Sequence, residues 1–336
     1  MNYKKSLLQL ARTALTVNLI TCLAGGAPQL VLGQSPEEVA EAISAAMDNP
    51  ISELFLFQNQ FDSYRVSFPR LGEEKTVNTL KIIPTFPIPL SASVNFVNRI
   101  MLPWNSVPIN EQFGDLIGVS VNPYGQGFVT ADPRAVEDAV EDILADPFDR
   151  TTGFGDMVYI GLFGPRHPPK VGNGTLIWAA GYTSMFPTAS KDILGMDKYS
   201  LGPAAVLAYL TPKMRLGVFP QHWWSVAGND DRTDVSMTNI QYFAFWAPNP
   251  LTAIGAMPNI VINWKADEKL TLPLGIGINR TFFLGKLPVR AGVEYHYNVI
   301  HPDDSTHSKW NLRVFFIPVI PAPWGDLAKL LKGEGE

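Results

Sequence analysis

From residue 52 onward, apolar and polar side chains alternate in segments of about ten residues. The clearest is 287–299, LPVRAGVEYHYNV. Val289, Ala291, Val293, Tyr295, Tyr297 and Val299 share one parity there, and Arg290, Gly292, Glu294, His296 and Asn298 share the other. Successive side chains of a strand point to opposite faces, so this segment predicts a strand with one greasy and one wet face. Its apolar face is long and ends in tyrosines, as in strands that meet lipid outside, a polar lumen inside and headgroups at their tips.

The pattern recurs. In 270–282, Leu270, Leu272, Leu274, Ile276 and Ile278 oppose Thr271, Gly275, Gly277 and Asn279. In 238–246, Ile240, Tyr242, Ala244 and Trp246 oppose Asn239 and Gln241, and in 310–318, Trp310, Leu312, Val314 and Phe316 oppose Asn311 and Arg313. Earlier, Val94, Phe96, Ile100 and Leu102 oppose Asn95 and Arg99, and Phe55, Phe57 and Phe61 oppose Gln58, Gln60 and Asp62. Connectors alternate as well from residue 174 on. Short ones (211–213, 248–250, 284–286) are interleaved with longer polar ones (190–198, 228–234, 265–269, 301–309). Bacterial barrels have short periplasmic turns and longer outer loops on an even number of strands, so the expectation is an all-β, transmembrane, antiparallel up-and-down barrel of about 12 strands over 52–321, both ends periplasmic.

Three segments interrupt the strand rhythm. Ser35 as N-cap, Pro36 at the first helical position and Glu38 closing a capping box predict a short helix over 36–47, within a periplasmic segment 34–51 that tethers the N-terminus at the surface. Residues 103–152 are too long for a turn. They hold a predicted helix, 133–145, opened by Asp132 and Pro133, with an apolar stripe of Val136, Ala139, Val140, Ile143 and Leu144. By parity this insert lies on the outer side, as plug, lid or bystander. In the tail, 322–336, Trp324, Leu327, Leu330 and Leu331 suggest a short amphipathic helix or a frayed end.

Composition fits but does not decide. The chain has 336 residues, 46% hydrophobic and only 17% charged. No 18-residue apolar run marks a helical membrane span, and mean hydropathy is +0.06, because alternation hides barrel strands from such a scan. Lys4, Lys5 and Arg12 before the apolar 14–24, followed by small residues, predict a signal peptide over 1–33. Its removal would take the net charge from −5 to −8 and remove the one cysteine, Cys22, leaving no disulfide or thiol chemistry. An acidic exported chain without a basic stripe is no nucleic-acid binder.

Catalytic constellations are missing: no G-x-S-x-G elbow, no H-E-x-x-H, no Walker loop. His222 and Ser225, three apart on a strand, point to opposite faces, and Trp223 and Trp224 beside them suit an interfacial girdle. His301 and His307 with Asp303 and Asp304 read as a solvated polar loop rather than a metal site. No catalytic, cofactor or metal residues are assigned. The wet parity instead yields lumen-lining candidates: Arg99, Asn239, Gln241, Asn279, Arg290, Glu294, His296, Asn298, Asn311 and Arg313. Glu294 is expected to be neutralised by Arg290 or Arg313.

The order of several motifs resembles a bacterial outer-membrane family linked by name to the MetA pathway of phenol degradation and often labelled neuromedin U. They are GFGDMVYIGLFGP (153–165), FPTASKDILGMDKYSLGPAAV (186–206), HWWSVAGNDDRTDVS (222–236), INWKADEKLTLPLGIGI (262–278), LPVRAGVEYHYNV and WNLRVFFIPVIP (310–321). The insert and the tail depart from the family. The resemblance implies an outer-membrane barrel taking up small molecules, aromatic or hydrophobic ones among them, and brings no catalytic residues. The expected function is therefore a channel or facilitator in the cell outer membrane, with outer-membrane lipid and a small solute as partners and room for a homo-oligomer. The alternatives are a structural or surface-interaction barrel with a filled lumen and, behind that, an outer-membrane lipid hydrolase.

Overall fold

The structure, a computed structural model, describes residues 36–69, 72–111, 120–122, 128–129, 149–267, 269–285, 287–303 and 306–324. The expected signal peptide, the 133–145 helix and the tail past Trp324 lie outside these residues. Among the described residues a helix, α1 (Pro36–Met47), precedes a ring of twelve antiparallel strands. These are β1 (Leu54–Phe68), β2 (Glu73–Pro89), β3 (Val94–Val107), β4 (Met157–Pro165, with an outer extension Thr151–Phe154), β5 (Gly174–Phe186), β6 (Lys198–Leu210), β7 (Met214–Gly228), β8 (Ser236–Asn249), β9 (in two pieces, Thr252–Ala256 and Asn259–Asn263), β10 (Leu270–Leu284), β11 (Leu287–Ile300) and β12 (His307–Pro321). Each strand pairs with the next. β1 closes the ring on β12, paired from Leu54 opposite Pro321 to Ser67 opposite His307 with a bulge between Arg65 and Val66. The expected up-and-down barrel is therefore what forms, and closure leaves no sheet edge for lipid to solvate.

Burial follows the alternation. On β10 and β11 the outward Ile276 is 65% exposed and Tyr297 51%, while the inward Glu294 is 1% exposed. Such an inside-out distribution is stable only when the outer solvent is hydrocarbon. Outward aromatics gather at the two rims, Trp178 and Trp246 near the short-turn end and Tyr199, Trp224, Trp264 and Tyr297 near the loop end, where amphipathic rings sit at headgroup depth.

Three expectations need correction. β3 runs to Val107 and the extension of β4 pairs beside its end, so the insert begins past residue 107 rather than at 103. Trp223 is not in the girdle: it points inward, fully buried, its indole N–H donating to Thr183 at 3.0 Å, and only Trp224 faces out. The helix at 36–47 forms, but α1 does not tether from the surface. Ile43, Ser44 and Met47 are buried in the short-turn mouth of the barrel, against Leu54, Phe315, Ile317 and Val319.

Candidate functional site

The lumen is asymmetric. β3 to β7 line it with Val97, Met101, Val158, Ile160, Leu162, Val206 and Phe219, an apolar half. β1, β2, β11 and β12 line it with charge. Asp62, inward on β1, accepts from Arg313 Nε at 2.8 Å, Lys81 Nζ at 3.1 Å, Asn311 Nδ2 at 2.7 Å and Gln60 Nε2 at 2.6 Å. Arg313 Nη1 lies 3.6 Å from Glu294, whose Oε2 also meets His296 Nε2 at 2.8 Å. All of these side chains are buried. Two cations face two carboxylates, so the layer is neutral within itself, as buried charges must be.

A break in β9 completes this layer. Pro258 has no N–H to donate to the sheet, and the two pieces of β9 part around it. Gly255, at φ +153°, allows the bend, because a Cβ there would sit 1.9 Å from the Ala244 carbonyl oxygen. The freed backbone of Met257 turns to the network: its N–H donates to Glu294 at 3.2 Å, and its carbonyl accepts from Arg313 at 2.8 Å.

Three cavities follow one another along the apolar half. An open vestibule of about 1000 Å³ lies beside α1 at the short-turn end, bordered by Glu41, Arg166, Leu210 and Pro250. It meets a chamber of about 150 Å³ at Asp48 and Arg215, which line both. The chamber is walled by Val97, Leu162, Phe219, Phe243, Phe245 and Ile317, and it carries three guanidinium groups, Arg99, Arg215 and Arg290, against one carboxylate, Asp48. Arg99, Ile160, Phe219 and Gln241 then form a neck to a polar space of about 30 Å³ ringed by Gln60, Lys81, Gln221, Asn239 and Asn259. That last volume suits about one or two waters. Arg99 lies over the Phe219 ring, 6.0 Å from its centroid.

α1 closes the inner side of the chamber. Its Ser44 hydroxyl donates to the Pro250 carbonyl at 2.9 Å and accepts from Thr281 at 3.1 Å. Arg290 donates to the Ser44 carbonyl at 2.9 Å and to Asp48 at 2.9 Å, and Arg215 pairs with the other Asp48 oxygen. Asp48 directly follows the helix, where exposed carbonyls repel a carboxylate. The two guanidiniums of the wall, not the helix, hold it.

The outer mouth closes differently. In the β5–β6 loop the 3-10 turn Asp192–Leu194 tucks Ile193 and Leu194, both fully buried, against Tyr64, Val66, Val77 and Val107. Asp156, in the Gly-Phe-Gly-Asp motif, staples this loop: one carboxylate oxygen accepts the amides of Thr188 (3.1 Å) and Ala189 (3.2 Å), the other that of Met196 (2.6 Å). Gly155 lets the motif pass close, since a Cβ there would meet Asn105 at 2.5 Å and the Leu194 carbonyl at 3.0 Å. Burial pushes the Asp156 carboxyl up to about 6; the three amides oppose the rise and nearby Asp197 adds to it.

The ten lumen candidates thus fall into separate places. Arg99, Gln241, Asn279 and Arg290 line the chamber. Asn239 lines the polar space. Glu294, His296, Asn311 and Arg313 belong to the ion layer. Asn298 stands apart, donating to Ser308 near the loops. The expected neutralisation of Glu294 comes from Arg313; Arg290 instead goes to Asp48 on α1. Lys81, Arg215, Asp48 and Asp156 were not among the candidates. Lys81 had a signal: one cation inside an apolar run, on the parity of Thr79 and Thr85. Asp48 had another, an acid at the wrong end of a helix. His222 and Ser225 do not meet; the histidine bonds Thr238 at 2.7 Å and the serine Asp234 at 3.0 Å. His301 and His307 stack at 4.1 Å, and among the described residues no group of three or more His, Cys, Asp or Glu could hold a metal ion.

No family model matches the chain, and no curated protein sequence matches it. Among solved structures it is similar to an outer membrane channel from Pseudomonas putida F1, at TM-score 0.52 and 11% identity, over 80% of this chain and 94% of that one. Outer membrane phospholipase A from Escherichia coli is a looser likeness (TM-score 0.43, 12% identity, 83% and 97% covered), as is the NanC porin (0.40, 8%, 77% and 98%); neither decides anything about this chain. At such identities the first likeness is one of fold. This chain has the fold of an outer-membrane β-barrel.

Proposed function

We propose that this chain is an outer-membrane channel or facilitator for small solutes, hydrophobic or aromatic ones among them. The observation that carries this reading is the series of three cavities that share lining residues, running from the vestibule past Asp48 and Arg215 and past Arg99 and Phe219 into the lumen. The ordered motifs that resemble the family named for phenol degradation support the same reading. Solute would move along the apolar half of the lumen, with the neutral ion layer as the opposite, fixed wall.

A second reading, a structural barrel, draws support from that same charge-paired ion layer and from the elements folded into both mouths. Planar-bilayer recordings separate the two. The channel reading predicts brief, small openings in the wild type. In Arg99→Ala it predicts a conductance raised severalfold, because the neck loses its bulkiest side chain. Silence in both would overturn the channel reading and leave the structural one.

A further inference from the structure

We propose that Arg215 and Arg290 form a carboxylate-binding site of the lumen, occupied at rest by Asp48 of α1, and that a small acid whose apolar body fills the adjoining chamber displaces Asp48 and unlatches the inner mouth. The inference rests on the channel reading and names its solute class.

Three features carry it. The first is the resting occupant. The Asp48 carboxylate lies between two guanidiniums of the wall, one oxygen to each, and so shows which chemical group the pair accepts. The second is the charge count. Arg215 and Arg290 outnumber Asp48 in a chamber whose remaining wall is mostly phenylalanine, methionine and aliphatic side chains, with Gln58, Thr85, Gln241 and Asn279 among them. With Asp48 in place the chamber keeps an excess of positive charge facing apolar wall, which suits an amphipathic anion. The third is size. The chamber measures about 150 Å³, and an apolar cavity of roughly that volume takes up a benzene ring.

Competition then sets the class. Asp48 is tethered to the helix and acts at an effective concentration on the order of millimolar. An acid without an apolar body offers the guanidiniums nothing that Asp48 does not, and loses. An acid carrying a ring adds burial of apolar surface in the chamber and wins. A neutral ring gains the burial but leaves Asp48 in place. Asp48 and Arg215 border both the vestibule and the chamber, so breaking their pair joins the two spaces.

The test uses the full chain folded in detergent, titrated calorimetrically with benzoate, acetate and benzyl alcohol. Benzoate is expected to bind the wild type at about millimolar concentration and Asp48→Asn about tenfold more tightly, since one charge-assisted partner no longer competes. Acetate should bind at least about tenfold more weakly than benzoate in both, benzyl alcohol should do so in Asp48→Asn, where the guanidinium pair is vacant for a carboxylate, and adding Arg290→Gln to Asp48→Asn should abolish benzoate binding. A second measurement keeps Asp48 and does not depend on the folding of that variant. Ile43→Cys, with Cys22 replaced by serine, buries a thiol in the closed mouth, and saturating benzoate should speed its maleimide labelling several-fold while benzyl alcohol leaves it unchanged. Benzoate binding no tighter in Asp48→Asn, benzyl alcohol binding Asp48→Asn as tightly as benzoate does, or labelling unmoved by benzoate would each overturn the proposal. A barrel that conducts in bilayers but shows none of these responses refutes the site and leaves the channel. A barrel that is silent in bilayers yet binds benzoate as described keeps the site and refutes the channel.

Discussion

Each mouth of this barrel is held through an aspartate, Asp156 buried and Asp48 half-buried, and the two aspartates are satisfied by different partners. At the outer mouth Asp156 accepts three backbone amides of the loop it closes. At the inner mouth Asp48 is held by two guanidiniums that belong to the lumen wall. Backbone amides are fixed in number and direction, and a free anion reaches them only after the loop has opened. Guanidiniums that face a cavity can take another carboxylate while the wall stays where it is. The outer closure is therefore part of the fold, and the inner one is a contact that solute chemistry can replace. Between them the Asp62, Lys81, Arg313 and Glu294 layer belongs with the outer kind, its charges being paired from strand to strand.

The largest effect is expected where charge is buried most deeply. Arg313→Ala takes the guanidinium from buried Glu294 and leaves Asp62 with Lys81 as its cation, and should cost about 3–5 kcal/mol of folding stability. A urea titration of folding into lipid would register this; a loss below about 1 kcal/mol would mean that the layer is hydrated rather than dry. Asp156→Asn comes next. Its Nδ2 would face the Met196 amide donor to donor, an expected cost of about 1–3 kcal/mol in loop closure, read as faster amide exchange over 187–197 with little change in global stability.

The same carboxylate gives the outer mouth a pH dependence of definite sign. Its value in the closed loop is raised from 3.8 to about 6, so between those pH values the closed loop holds a proton that the open loop has given up. The contribution to closure is fully present below 3.8 and is lost as pH rises through about 6. Exchange rates, corrected for intrinsic pH dependence, should therefore reveal easier opening at pH 7 than at pH 4, and Asp156→Asn should flatten the profile. At the inner mouth Asp48→Asn should loosen α1 by about 1–2 kcal/mol while leaving the barrel midpoint almost unmoved. Ser44→Ala, which deletes a single hydroxyl from the Thr281 and Arg290 contacts, should loosen α1 by about 1 kcal/mol. If Asp48→Asn instead destabilised the whole barrel as much as Arg313→Ala, the distinction between the two kinds of closure would fall.

The wall of the barrel was legible from alternation, and the partners across its lumen were not. Parity on β11 and β12 assigns Glu294, His296, Asn311 and Arg313 to the interior, because the two-residue repeat of a strand is local. That Arg290 reaches Asp48, a contact spanning 242 positions, depends on α1 entering the mouth. A twelve-residue amphipathic helix serves equally well on a surface or in an opening, and nothing local decides between them. The same limit explains Trp223 and Trp224: one of two adjacent residues on a strand must point inward, and the girdle reading took both outward. Lys81 was hidden by its apolar neighbours, although its parity with Thr79 and Thr85 marked it. The break in β9 was written in Gly255 and Pro258, but its use, aiming the Met257 backbone at Glu294 and Arg313, appears only in three dimensions.

The most direct test of the central claim, that the inner mouth is a removable closure over a conducting lumen, locks and unlocks α1 in one protein. The Ser44 and Thr281 oxygens lie 3.1 Å apart, which suits a disulfide between cysteines at the two positions, with Cys22 replaced by serine. Recorded in a planar bilayer, the oxidised Ser44→Cys, Thr281→Cys barrel should show no openings, and adding reductant to the same membrane should produce them. Equal conductance before and after reduction, or silence in both states, would contradict the account.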